Sequence, residues 1–177
     1  MTVVPILLLT FVVLLAGGLV WLQVSAHRAA ARSWEELVSQ LQHIPPRGLE
    51  IVALDYMEPK PNQLKLEPEH LWALIGGLEG LRAMRRNANL LIALAAYVQR
   101  WNFDEGVIVT ERMRQDAIQL KRALFHIRME RVLRRTPLRT PFYLQQAASA
   151  YYLMTRRLLA LYATSHAGLL PALRAAI

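Results

Sequence analysis

Residues 3–24 read VVPILLLTFVVLLAGGLVWLQV, a run whose clearly polar members are only Thr10 and Gln23. No charged side chain occurs in the first 26 residues. At ~1.5 Å per residue, a helix of this length reaches ~33 Å and can cross a hydrocarbon layer ~30 Å thick. Pro5 falls in the first turn, where a missing N–H costs little. Trp21 lies near the far end, where an amphipathic ring suits the headgroup layer. The rival is a cleaved leader, with Val24-Ser25-Ala26 as a passable cleavage site. Against it, no Lys or Arg precedes the run, and the run exceeds the ~7–15 apolar residues of such leaders. A single uncleaved transmembrane helix over residues 1–26 is the expectation. No ionisable residue and no small-xxx-small repeat interrupts it, so it is expected to anchor rather than conduct. His27, Arg28 and Arg32 follow directly. The positive-inside rule then places the remaining domain in the cytoplasm, which fits a bacterial inner-membrane protein.

Everything charged lies beyond the anchor. The chain of 177 residues carries a net charge of +8, with 18 Arg against 3 Lys. Arg favours bidentate pairing with carboxylate and phosphate. The balance therefore leans toward acidic partners, although codon bias toward Ala, Leu and Arg gives the same tilt. The chain has no cysteine. Disulfides, thiolate metal sites and cysteine nucleophiles are thereby excluded.

The pattern beyond residue 26 is helical. Residues 27–44 read as a juxtamembrane helix. Within it Ser33-Trp34-Glu35-Glu36 forms a capping box, where a fresh helix can start, and Pro45-Pro46 stops it. Residues 45–67 are irregular. LEIVAL at 49–54 has β character and could pair with 63–66 as a small hairpin, or the whole stretch could be a linker packed on the rest. Residues 68–166 hold apolar side chains at i, i+3, i+4 and i+7 over three stretches, about 68–101, 104–135 and 141–165. Gly76, Gly77 and Gly80 in the first stretch suggest a bend or a close helix approach. Residues 167–177 read as a short frayed tail. The expected fold is all-α: one N-terminal transmembrane helix, then an antiparallel bundle of three long helices with a short irregular or hairpin insert.

The sharpest surface pattern is basic. Arg114, Lys121, Arg128 and Arg135 recur at sevens, and Ile118, Phe125 and Val132 interleave at the same period. Such a face is both cationic and apolar. It could lie on anionic lipid or grip an acidic protein, or it could be a solvated flank of the core. Arg82, Arg85 and Arg86 recur on neighbouring turns, and Arg156-Arg157 follow in the last long helix. Converging with the third-helix face, they would form an anion cleft. Otherwise they pair separately with Glu79, Glu111 and Asp116.

Chemistry-bearing motifs are scarce. Glu67-x-x-His70 matches half of a di-iron carboxylate pattern, but the second copy is absent, so no metal is expected. His126 and Glu130 at i, i+4 suggest a local ion pair. Phe142, Tyr143, Tyr151, Tyr152 and Tyr162 read as packing residues. No phosphate-binding glycine loop, nucleophile elbow or H-E-x-x-H occurs, and no nucleic-acid module is recognisable. No catalytic residue and no cofactor is expected.

The stretches GLEGLRAMRRNANLLIALAAYVQRW (77–101) and YYLMTRRLLALY (151–162) resemble a group of bacterial membrane-anchored helical proteins with no known activity. The resemblance implies an anchor and a helical bundle, and it transfers no activity or site. The expectation is a membrane-anchored scaffold or accessory subunit that binds a protein partner. The alternatives are an anionic-lipid module or a sensor of a phosphorylated small molecule.

Overall fold

A computed structural model describes residues 33–58, 67–133 and 140–177. The described residues are all-helical and contain no strand. The expected membrane span at 3–24 lies outside them. No described helix is long and apolar enough to cross a membrane. Residues Trp34–Ile177 form one compact unit.

Helix α1 (Trp34–Ser39) starts within the expected capping box. It buries Trp34 and Leu37, at the spacing of one helical turn. Its chain then turns through residues 40–45, and Pro45-Pro46 opens the next helix instead of merely closing this one. Helix α2 (Pro46–Met57) has Pro46 in its first turn, where proline is pre-organised for a helix.

The expected hairpin is therefore corrected, because LEIVAL lies inside α2. Leu49, Val52 and Ala53 are buried. That i, i+3, i+4 set meets the bundle only if the segment is helical. Burial thus overrides the β preference of Ile51 and Val52. The expected partner strand at 63–66 lies outside the described residues.

The first long helix is broken in two. Helix α3 (Pro68–Leu74) and helix α4 (Gly77–Val98) meet at Ile75-Gly76. Gly76 and Gly77 sit at φ 76° and 63°, left-handed conformations that cost most other residues about 1–2 kcal/mol. Gly80 has a different role. A Cβ there would fall 1.7 Å from the carbonyl oxygen of Ile75, so that carbonyl occupies the space a side chain would need. The three glycines serve a bend and a close approach together.

Helix α5 (Phe103–Val132) is capped by Asn102, whose side chain accepts from the Glu105 amide at 3.4 Å. Helix α6 starts at Thr140 and runs to Ser165. Gln99 Nε2 donates to Thr110 Oγ1 at 3.2 Å, and Lys121 Nζ donates to Asn89 Oδ1 at 3.0 Å. These bonds fix α4 and α5 antiparallel. Asn102 to Ser165 and Arg157 to Asp116 fix α5 and α6 antiparallel in turn. The expected bundle of three long helices is what the chain forms. Helix α6 is its centre and packs against α2, α4 and α5. Tyr151 and Tyr162 of α6 are fully buried.

The C-terminal residues are not a frayed tail. A 3-10 turn at Ala167–Leu169 leads into helix α7 (Leu170–Ala176), which buries Leu173 and packs on α6 and α1.

Candidate functional site

The long helices turn their chemistry outward. On α5, Met113, Ala117, Leu120 and Ile127 are buried, as their spacing predicts. The opposite face exposes Ile118 at 66%, Phe125 at 59% and Val132 at 69%. Arg114, Lys121 and Arg128 lie on the same outward side and are exposed. Arg135, the fourth member of the expected series, lies outside the described residues. Met129 adds a further exposed apolar side chain.

Two of the basic groups found separately in the sequence come to one side of the molecule. Arg82, Arg85 and Arg86 are exposed on α4, on turns flanking Asn89. Lys121 reaches across to Asn89 and joins the two faces. The antiparallel register set by Asn89–Lys121 and Gln99–Thr110 puts Arg82 at the level of Arg128. Among the described residues, none of Arg82, Arg85, Arg86, Lys121 and Arg128 has a carboxylate at ion-pairing distance. Arg114 does, pairing at 3.2 Å with Glu111 on its own helix. Further along, the Arg131 guanidinium lies over the Trp72 ring, 5.8 Å from its centroid.

Arg156 and Arg157 do not join this surface. Tyr151 turns α6's buried face to α4, where its hydroxyl accepts from Asn87 Nδ2 at 3.0 Å. Arg156 is five residues on, about 140° around the helix, and so points away from α4. Its guanidinium lies over the Tyr152 ring at 5.8 Å, while the Tyr152 hydroxyl donates to Glu50 of α2 at 3.2 Å. Arg157 bonds the buried Asp116 of α5. Burial pushes the Asp116 carboxyl above its ordinary range, and Arg157 pulls it back down. The five-arginine cleft is thus divided: three residues on the α4 surface, one on an aromatic ring, one in a half-buried ion pair.

The remaining expectations resolve locally. His126 does not pair with Glu130. It stacks on Tyr143, with centroids 4.7 Å apart and planes at 10°. Glu130 instead accepts from the Thr140 hydroxyl, across to α6. Glu67 and His70 are both exposed, and among the described residues no three His, Asp or Glu side chains gather as a metal site requires.

Two buried polar features escaped the sequence reading. Asn87 clamps the residues after α1: its Oδ1 accepts from the Gln42 amide at 3.0 Å, and its Nδ2 donates to the Gln42 carbonyl at 2.7 Å. Trp34 Nε1 donates to the Tyr162 hydroxyl at 3.1 Å, and that hydroxyl donates to the Leu94 carbonyl at 3.0 Å. Burial raises both Tyr151, to about 12, and Tyr162. An Asn inside an otherwise apolar stripe was the available signal for the first. No signal in the sequence pairs Trp34 with Tyr162.

No protein-family model, no curated protein and no solved structure matches this chain.

Proposed function

We propose that the chain is a membrane-anchored helical adaptor, held by residues 3–24 at the cytoplasmic face of a bacterial inner membrane. Its joint α4–α5 surface binds an acidic partner protein. The observation behind this reading is the exposed row Ile118, Phe125 and Val132, flanked by Lys121 and Arg128, which no described carboxylate neutralises. Large apolar side chains recurring at sevens on an outward helix face fit the seam of one further helix. The flanking cations favour acidic side chains at the partner's edges.

The absence of cysteine makes the test direct. A photocrosslinker is attached to Ile118→Cys and, separately, to Phe125→Cys in the full-length protein in native membranes. The expected result is a discrete adduct with a second protein. It should disappear when Arg114, Lys121, Arg128 and Arg135 are all reversed to Glu. Adducts with lipid alone, or protein adducts indifferent to the reversal, would overturn this function. Flotation with anionic vesicles that is lost on the same reversal would assign the surface to lipid instead.

A further inference from the structure

The turn between α4 and α5 carries the other exposed apolar cluster. Trp101 is 48% exposed and Phe103 67%, and Val107 and Ile108 extend the patch along the first turns of α5. An exposed Trp and Phe at a helical corner are costly in water and suit the bilayer interface. Two of their polar neighbours, Glu105 and Arg100, are already engaged. Glu105 accepts from Asn102 at 2.9 Å and from Thr164 at 3.3 Å. Arg100 lies over the Tyr97 ring at 4.3 Å. Trp101 is braced edge-on by Tyr97 and His166, with ring centroids 5.0 and 5.2 Å away. Asp104 is exposed beside Phe103, which limits the depth this corner can reach to the headgroup layer.

The second observation is where the chain enters the domain. Trp34, its first helical residue, bonds Tyr162 near the end of α6, and Tyr162 bonds Leu94 near the end of α4. Both helices finish at the corner that holds Trp101 and Phe103. From Trp34, α1 leads away from that corner, because Gln42 is fastened at the level of Asn87. Only residues 25–33 separate Trp34 from the apolar run. At about 3.3 Å per residue their full extension is about 30 Å.

We infer that the α4–α5 corner is a membrane-touching tip. Trp101, Phe103, Val107 and Ile108 sit in the headgroup layer of the bilayer that holds the anchor. This rests on the anchor reading and adds an orientation to it. The α4–α5 surface from Arg114 to Val132 lies outside this contact and stays available to a protein partner. Neutral lipid suffices for the contact, since the tip is aromatic rather than cationic.

The test uses the full-length chain reconstituted in phosphatidylcholine vesicles. A polarity-sensitive fluorophore is placed at Phe103→Cys and Ile108→Cys, with Ile118→Cys and Phe125→Cys as references. All four positions are exposed, so the substitutions leave the core alone. Spin-labelled lipid should quench the probes at 103 and 108 severalfold more than those at 118 and 125. Equal quenching at all four would mean the bundle lies flat, and overturns the tip. So would probes at 103 and 108 that report water, or that report an apolar site which lipid-borne quencher does not reach. Extraction by alkaline carbonate separates the two readings. Protein that washes off loses the anchor and the tip together. Protein that stays but shows no quenching at 103 loses only the tip.

Discussion

Asn87 is the buried residue whose loss should propagate furthest. Its side chain makes three hydrogen bonds, two to the Gln42 backbone and one to the Tyr151 hydroxyl. Asn87 and Tyr151 are each 1% exposed. A hydrogen bond contributes a net of about 1 kcal/mol, so Asn87→Ala should cost about 3 kcal/mol before any cavity is counted. In a domain of this size that corresponds to a fall in Tm of about 6–12 °C. Circular dichroism melts of the full-length protein in mild detergent measure it. Hydrogen exchange adds a local signature: the Gln42 amide should lose its protection in the variant while amides in mid-α5 keep theirs. A double-mutant cycle closes the argument. Tyr151→Phe removes one of the same three bonds, so the two costs should overlap by about 1 kcal/mol. Strict additivity, or a Tm fall under about 2 °C for Asn87→Ala, would refute the reasoning.

Gly80→Ala should destabilise more than Gly77→Ala. The first drives a methyl into the Ile75 carbonyl, while the second has open space and faces only a left-handed backbone costing about 1–2 kcal/mol; comparative melts decide. Arg157→Ala strands the buried Asp116 carboxylate and should cost about 2 kcal/mol at neutral pH, less than a fully dry pair because Arg157 remains a third exposed. Without Arg157 nothing lowers the raised Asp116 pKa, so the carboxyl protonates more readily on acidification and the deficit against wild type should shrink as pH falls; melts at mildly acidic and neutral pH test the sign. Burial raises Tyr151 to about 12 and raises Tyr162 too, so above pH ~10 the unfolded chain releases protons that the folded chain keeps. Stability should therefore fall in that range, by up to ~1.4 kcal/mol per pH unit for each tyrosine, and near-ultraviolet titration should show both ionising together with unfolding.

Much of this architecture is legible in the sequence because helices announce themselves by period. The buried stripes of α5 and α6 fall where spacing puts them: Met113, Leu120 and Ile127 on one, Leu144, Tyr151 and Leu158 on the other. Residues 49–54 mislead because their period is shared. Three buried positions in a largely apolar run satisfy a strand by composition, and packing, chiefly on α6, selects the helix. The C-terminal segment misleads in the opposite way. Its helix is short, and it is held by burying Leu173 and packing on α6 and on α1, the latter from the far end of the described chain. The same limit governs the arginines. Outward residues such as Lys121 and Arg128 can be placed from their own helix. Arg156 and Arg157 depend on how α6 is rotated, which Tyr151 and Tyr162 decide through partners on α4 and α1. An adjacent pair that looks like one cationic spot is split between two sides of the helix.

The bond from Trp34 to Tyr162 has a mechanical consequence. A pull on the chain ahead of the helical unit reaches Trp34 first. Here that residue is not a loose lead. Its indole is wedged in the core, and its N–H is passed through one hydroxyl to the backbone of α4. Force arriving at residue 33 is thus shared at once between α4 and α6, with no slack to take up. Under load the first event should be extraction of one indole, all or none, rather than gradual peeling. A pulling trace should record it as a single early step, and Trp34→Ala should erase that step.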